Sequence, residues 1–171
     1  SPTHVNDLWE CDLTTFTWTQ KTSGATVRAS VTAVVNAGKM YVFGGHNGST
    51  YLSDFWECDL TTFTWTSKTS GASARHGYTA VAYSGKMYLF GGWNGSTRFN
   101  DRWEFNLTTC TCTQKASGAT TRMYPVSAVN GSKMYIYGGQ TPTPLNDLWQ
   151  CDLTTFTWTQ KTSGATVRAS V

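Results

Sequence analysis

The chain has 171 residues, with 13 basic and 10 acidic side chains, a formal charge of +3, and 13% charged against 39% hydrophobic residues. That charge fraction is about half the globular norm, yet no apolar run is long enough for a membrane span, no basic-then-apolar leader opens the sequence, and +3 is too mild to imply nucleic acid. Eight each of Trp, Tyr and Phe argue against disorder, and about 30 Thr with few helix formers point to an all-β protein.

In chain order, residues 1–27 hold two short strand patterns that run into Thr-Ser-Gly-Ala at 22–25. Residues 28–74, 75–121 and 122–167 each carry a longer pattern, and 168–171 begin another. The 75–121 unit is the most legible. Tyr78–Tyr83 and Lys86–Gly91 are apolar on both faces, as strands between two neighbours are, and Ser84-Gly85 turns one into the other. After a loop, Trp103, Phe105 and Leu107 alternate with Arg102, Glu104 and Asn106 over Asp101–Leu107, a strand with one drier face. Thr108–Gln114 then reads as the outer, solvated strand, and helical periodicity is absent throughout.

These patterns are copies of one another. Trp9, Trp56, Trp103 and Trp149 are spaced 47, 47 and 46 apart, as are Arg28, Arg75, Arg122 and Arg168. Gly44-Gly45, Gly91-Gly92 and Gly138-Gly139 keep the same period. The one missing residue falls in a loop, where Gln140–Leu145 replaces His46–Leu52 and Trp93–Phe99. Four antiparallel strands cannot bury both faces alone, and radial packing of such units solves this.

The recurring pieces are Arg75-His76 before the first strand, Met87-Tyr88-Leu89-Phe90-Gly91-Gly92, and Asp54-Phe55-Trp56-Glu57-Cys58-Asp59-Leu60 with Trp65 beyond. Together they resemble the kelch repeat. The resemblance implies a β-propeller of four-stranded blades, here a partial ring of three full blades plus partial blades. It implies use in protein–protein interaction, with a minority of such propellers acting as enzymes or binding sugars.

A second period is superimposed. Residues 6–31 and 146–171 agree at 25 of 26 positions and differ only at Glu10 and Gln150, whereas 53–78 and 100–125 agree with 6–31 at 18 and 16 positions. The best self-match is therefore three units long. It predicts a duplicated three-blade module, a six-bladed ring of about 280 residues by doubling, and a chain that is a fragment or a protomer of a larger assembly.

Departures from the repeat are where chemistry would show. Every acidic residue sits in a recurring slot, so paired carboxylates for acid–base work have no distinctive candidates. Among the bases only Arg98 and Arg102 depart. The Arg28, Arg75, Arg122 and Arg168 series could bond interblade carbonyls or hold an acidic peptide. His4, His46 and His76 lack metal-ligand spacing and read as surface residues, although His46 and His76 fall on one face. No Tyr/His/Cys cluster assembles by spacing, and neither a catalytic group, a metal nor a cofactor is expected. Cys11, Cys58 and Cys151 share an apolar slot that Phe105 also fills, so they read as small core residues. Cys110 and Cys112 replace a Phe and a Trp, which predicts a looser outer edge in that blade. Asn47, Asn94, Asn106 and Asn130 match the glycosylation acceptor pattern, although Asn-Gly is also simply a good turn.

The loops after the second strand and the blade-to-blade connections share one face, and they vary most between units. His46, Tyr51, Trp93, Arg98, Phe99 and Gln140 are the contact-forming residues there, with Arg28, Arg75, His76 and Arg122 close in sequence to the inner strands. The expected partner is a protein, an acidic peptide for example, or another copy of the chain. A glycan on a carbohydrate-binding or extracellular structural protein is the alternative.

Overall fold

A computed structural model describes residues 4–164. It contains β-strands and turns and, among the described residues, no helix. β1 (Leu8–Cys11) and β2 (Trp18–Lys21) form a two-stranded sheet. Three four-stranded blades follow. Blade 1 is β3 (Ala33–Asn36), β4 (Lys39–His46), β5 (Tyr51–Asp59) and β6 (Trp65–Lys68). Blade 2 is β7 (Thr79–Tyr83), β8 (Lys86–Phe90), β9 (Arg102–Asn106) and β10 (Cys112–Lys115). Blade 3 is β11 (Val126–Asn130), β12 (Lys133–Tyr137), β13 (Leu148–Asp152) and β14 (Trp158–Lys161). Every pairing is antiparallel between strands consecutive in sequence, and inner strands of neighbouring blades touch, β3 on β7 and β7 on β11. The result is an open propeller arc. Arg168 and the segment 168–171 lie outside the described residues.

The core lies between blades. Tyr41, Phe43 and Phe55 of blade 1 pack on Tyr78, Met87, Leu89 and Phe105 of blade 2. Val81, Tyr88 and Phe90 of blade 2 pack on Met134, Ile136 and Cys151 of blade 3. Blade 2 thus buries both faces of its sheet, which is why its inner strands are apolar at successive positions. Burying one such large side chain contributes about 1.5–3 kcal/mol.

Two local devices set the blade geometry. Gly44 and Gly45 have φ of +57° and +104°, and β4 shifts register against β5 between Phe43 and Gly45. A side chain on Gly44 would come within 2.7 Å of the Arg75 carbonyl, the group to which the Gly45 N–H donates at 2.9 Å. The glycine pair therefore lets the next blade join backbone to backbone. The second device is an Asx turn after each third strand. Asp59 Oδ1 accepts from the N–H groups of Thr61 and Thr62, and Phe63 takes φ +56°.

The same turn corrects one expected boundary. Asn106 Oδ1 accepts from Thr108 and Thr109, and Cys110 sits at φ +57°, so the first half of Thr108–Gln114 is turn and β10 begins at Cys112. The loop expected at His46–Leu52 is also shorter. β4 and β5 extend to His46 and Tyr51, leaving only residues 47–50, whose turn is closed by Asn47 Oδ1 accepting from Ser49 and Thr50.

Candidate binding face

The Arg series builds the scaffold beneath the face. Arg75 and Arg122 have no exposed surface. Arg28, Arg75 and Arg122 each form a bidentate pair with an aspartate in or just before their own blade's third strand: Asp54, Asp101 and Asp147. Each also donates to a carbonyl of the Gly-Gly pair, at Gly44, Gly91 and Gly138. The same aspartates accept from an indole two residues on, Trp56, Trp103 and Trp149, at 2.6–2.7 Å. Burial alone would raise the Asp54 and Asp147 carboxyls, but hydrogen bonds from Arg and Trp outweigh it and hold both below the ordinary value. Besides the Gly-Gly carbonyl of its own blade, each guanidinium donates through Nε to a carbonyl two residues earlier, in the connection from the preceding unit (Thr26, Ser73 and Thr120), and their carboxylate partners are internal. Phe99 belongs to this scaffold as well, its ring 3.9 Å beneath the Arg75 guanidinium.

Above the scaffold, three short backbone bridges line up on the loop face: Ala29 with His46, His76 with Trp93, and Met123 with Gln140. The middle one is tight, with His76 N to Trp93 O at 3.0 Å and the return bond at 2.9 Å. Side chains on and beside the bridges form a continuous ladder of rings. His46 lies 4.8 Å from Tyr51 and 6.0 Å from His76, Tyr51 lies 5.8 Å from Trp93, and His76 lies 5.6 Å from Trp93. Arg98 ends the ladder 5.9 Å from the Trp93 ring, and its buried Nε has no partner. Beside Arg98 opens a polar groove of about 450 Å³, walled by Ser73, Thr97, Asn100, Asp101 and Gln114.

His76 is 8% exposed, which corrects the surface reading of that residue. Burial and the nearby His46 lower its pKa, so its ring is neutral at neutral pH. Its Nδ1 is 3.4 Å from the Tyr124 hydroxyl, while its Nε2 is buried without a partner. His4 also joins, 5.7 Å from His46. Folding therefore gathers a Tyr/His cluster that spacing along the chain does not reveal. No cysteine is among its ring contacts, and no group of three His, Cys, Asp or Glu among the described residues is placed to hold a metal.

Tyr124 went unread in the sequence. It occupies the slot of Ser30 and Gly77, and all three are left-handed, at φ +57°, +61° and +55° for Ser30, Gly77 and Tyr124. That backbone is uncommon for a bulky residue. A chain of bonds holds it: Gly77 N donates to Ser30 O at 2.9 Å, and Tyr124 N donates to Gly77 O. Gly77 is required here, because a side chain would meet the Tyr124 ring at 2.8 Å. The signal was available, since Ser/Gly/Tyr is a departure from the repeat.

The remaining candidates sit apart from the ladder. Gln140 holds the equivalent bridge in blade 3. The carboxamide oxygens of Asn47, Asn94 and Asn106 are engaged in their own turns, and Asn130 pairs with Lys133 across the β11–β12 turn. All five cysteines are free; Cys58 and Cys151 are fully buried, and Cys112 Sγ accepts from the Gly71 N–H at 3.0 Å. In the flanking seams the same contact is a Trp against a glycine, Trp65 on Gly24 and Trp158 on Gly118. Among the described residues, no helix is long and apolar enough to cross a membrane.

Comparison with known proteins agrees with this architecture. A solved structure described as the structure of YjhT is similar at a TM-score of 0.78 and 16% identity, over 87% of this chain and 56% of that one. The chain thus spans little more than half the length of that relative. No curated protein matches. Residues 1–169 match the model of the KLHDC2/KLHL20/DRC7 Kelch-repeats domain, so the chain belongs to the kelch-repeat family.

Proposed function

We propose that this chain is a non-enzymatic kelch propeller module that binds a protein partner through the ring ladder on its loop face. The observation that carries the reading is the run His46–Tyr51–His76–Trp93 with Arg98 at its end. Trp, Tyr and Arg are the residue types most often found to anchor interfaces. The ladder crosses from blade 1 to blade 2 on a rigid scaffold, and the groove beside Arg98 has polar walls suited to an acidic or carboxamide group of a peptide. Typical kelch domains are interaction modules, and this reading places the chain with them.

The test is binding of a peptide array rich in Asp, Glu and aromatic residues to the intact chain, repeated with Trp93→Ala and Arg98→Ala. Each substitution is expected to weaken binding by about tenfold or more, the effect of losing an interface anchor. Equal binding by all three proteins would overturn the proposal. The alternative ligand is a carbohydrate on an extracellular structural protein, supported by the ring surface of Trp93 and the 37% exposed Tyr124. Binding to a glycan array, with none to peptides, would favour it. We further propose that the chain works within a larger assembly of such blades, the three-unit self-match being the support.

A further inference from the structure

We infer that Asn47-Gly48 is a self-modifying site, in which His46 is the base for attack of the Gly48 nitrogen on the Asn47 carboxamide. Asn47 is thereby converted to aspartate and isoaspartate. The conversion is a single intramolecular event, so it goes beyond ligand binding and does not depend on which ligand the face takes.

Three pieces meet in the turn between β4 and β5. The first is the nucleophile. Gly48 has φ +96° and no side chain to shield its nitrogen. Asn47 lies in an Asx turn, which folds its carboxamide back over the following peptides and so toward the Gly48 nitrogen. The second is the base. The Gly48 N–H donates to His46 Nδ1 at 3.2 Å, so an imidazole lone pair faces the proton that must leave. The third is a set of donors on the oxygen that takes up charge. Asn47 Oδ1 accepts from Ser49 N at 3.0 Å, Thr50 N at 2.8 Å and Thr50 Oγ1 at 3.2 Å. Donors already aimed at this oxygen stabilise the anion that forms on it as nitrogen adds to Cγ.

The step balances with water alone. The bond from Gly48 N to Asn47 Cγ forms, and the proton passes to His46 Nδ1. His46 returns it to Asn47 Nδ2, the Cγ–Nδ2 bond breaks, and ammonia leaves a succinimide. Water then opens the ring at Cγ, giving aspartate with its side chain free, or at the Asn47 main-chain carbonyl, giving isoaspartate. Either product lowers the formal charge of +3 by one and sets a carboxylate next to His46, whose ring lies 4.8 Å from Tyr51 in the ladder. Isoaspartate also adds a methylene to the main chain in the turn that the His46–Tyr51 pairing closes.

The repeat supplies the control. Asn94-Gly95-Ser96-Thr97 makes the same turn. Asn94 Oδ1 accepts from the N–H groups of Ser96 and Thr97, and Gly95 has φ +94°. Asn94 N donates to the Thr97 carbonyl as Asn47 N does to that of Thr50, both at 3.2 Å. The slot of His46 is held there by Trp93, whose indole nitrogen only donates and cannot take the proton. Asn130-Gly131, the third such pair, ends β11 opposite Lys133 and follows Val129, again without a base.

The experiment is storage of the intact chain at neutral pH, unglycosylated, because a sugar on Nδ2 would block the step. Timed samples are digested and mapped by mass spectrometry for acid in place of amide and for isoaspartate. Asn47 should convert about a hundredfold faster than Asn94, the low end of what a positioned base supplies. His46→Ala should slow Asn47 to the Asn94 rate, and added imidazole should then speed Asn47 but not Asn94, by entering the vacated place. His46→Gln, which keeps much of the bulk, is the second variant and should be as slow if His46→Ala does not fold. Equal rates at Asn47 and Asn94 in the unaltered chain overturn the inference. Fast conversion that survives in a folded His46 variant also overturns it. Conversion that slows without rescue by imidazole overturns the role of base, leaving His46 only to hold the turn. None of these outcomes bears on the peptide-binding test.

Discussion

The two seams of this arc are built from the same repeat, yet they are held together differently. Between blades 1 and 2 the centre is aromatic. Phe55 has no exposed surface and lies 5.0 Å from Phe105, which is 5.3 Å from Phe43. Between blades 2 and 3 the slot of Phe55 is held by Arg102, also with no exposed surface. Its Nη1 donates to Cys151 Sγ at 3.1 Å and its guanidinium lies 4.4 Å over Phe156, while Nε and Nη2 have no partner. Among the described residues no carboxylate pairs with it, unlike Arg75 and Arg122. Burial pushes the Cys151 thiol up, with Arg102 opposing. The contrast teaches that the Arg–Asp–Trp latch and the glycine pair set the blade and its backbone join to the next, while the side chains filling the seam vary between an aromatic cluster and a buried guanidinium.

Two substitutions separate the seams. Phe55→Ala should be the most damaging, by about 3–5 kcal/mol, because a large ring leaves a void among Tyr41, Phe43 and Phe105. Denaturant unfolding followed by Trp fluorescence would show it, and a loss below about 1 kcal/mol would mean the aromatic seam is not what holds blades 1 and 2. Arg102→Leu should act in the opposite direction. Leu8 and Leu148 fill the same slot, so the backbone accepts leucine there. Replacing a buried, poorly paired charge with an apolar side chain of similar size stabilises by about 1–4 kcal/mol. Destabilisation by Arg102→Leu would mean instead that the guanidinium–thiol contact is a net contributor.

The fold was legible because the repeat shows each decision three times. The doubly apolar inner strands, the Gly-Gly pair and the Asp-x-Trp spacing all recur, and each has a local physical cause. The face was legible in part. Loop position singled out His46, Tyr51, Trp93 and Arg98, and folding does bring them together. It could not show that His76 is buried, because much of its cover comes from the neighbouring blades, His46 and Tyr51 on one side and Tyr124 on the other. Arg102 was visible as a departure from the repeat, but its burial depends on blade 3 rather than on its own strand. What comes from across a seam is what one unit of sequence does not carry.

The smallest expected effect tests the mouth of the same two seams. At the blade 2–3 seam His76 meets Tyr124, with their rings 5.7 Å apart; the corresponding residues of the blade 1–2 seam are Ala29 and Gly77, which cannot titrate. Burial, followed by the charge of His46, lowers the His76 pKa below its ordinary 6.5. Above pH 6.5 the imidazole is neutral folded and unfolded, and its contribution to stability is complete. As the pH falls below 6.5 the unfolded chain takes up the proton first, so that contribution declines, and it is lost once the pH passes the lowered folded value. Unfolding midpoints measured from pH 8 to pH 5 should therefore fall, and the fall should be shallower in His76→Gln, which has no proton to gain at this position. If the two proteins lose stability in parallel, the acid sensitivity arises elsewhere and the blade 2–3 mouth is no more pH-dependent than its neighbour.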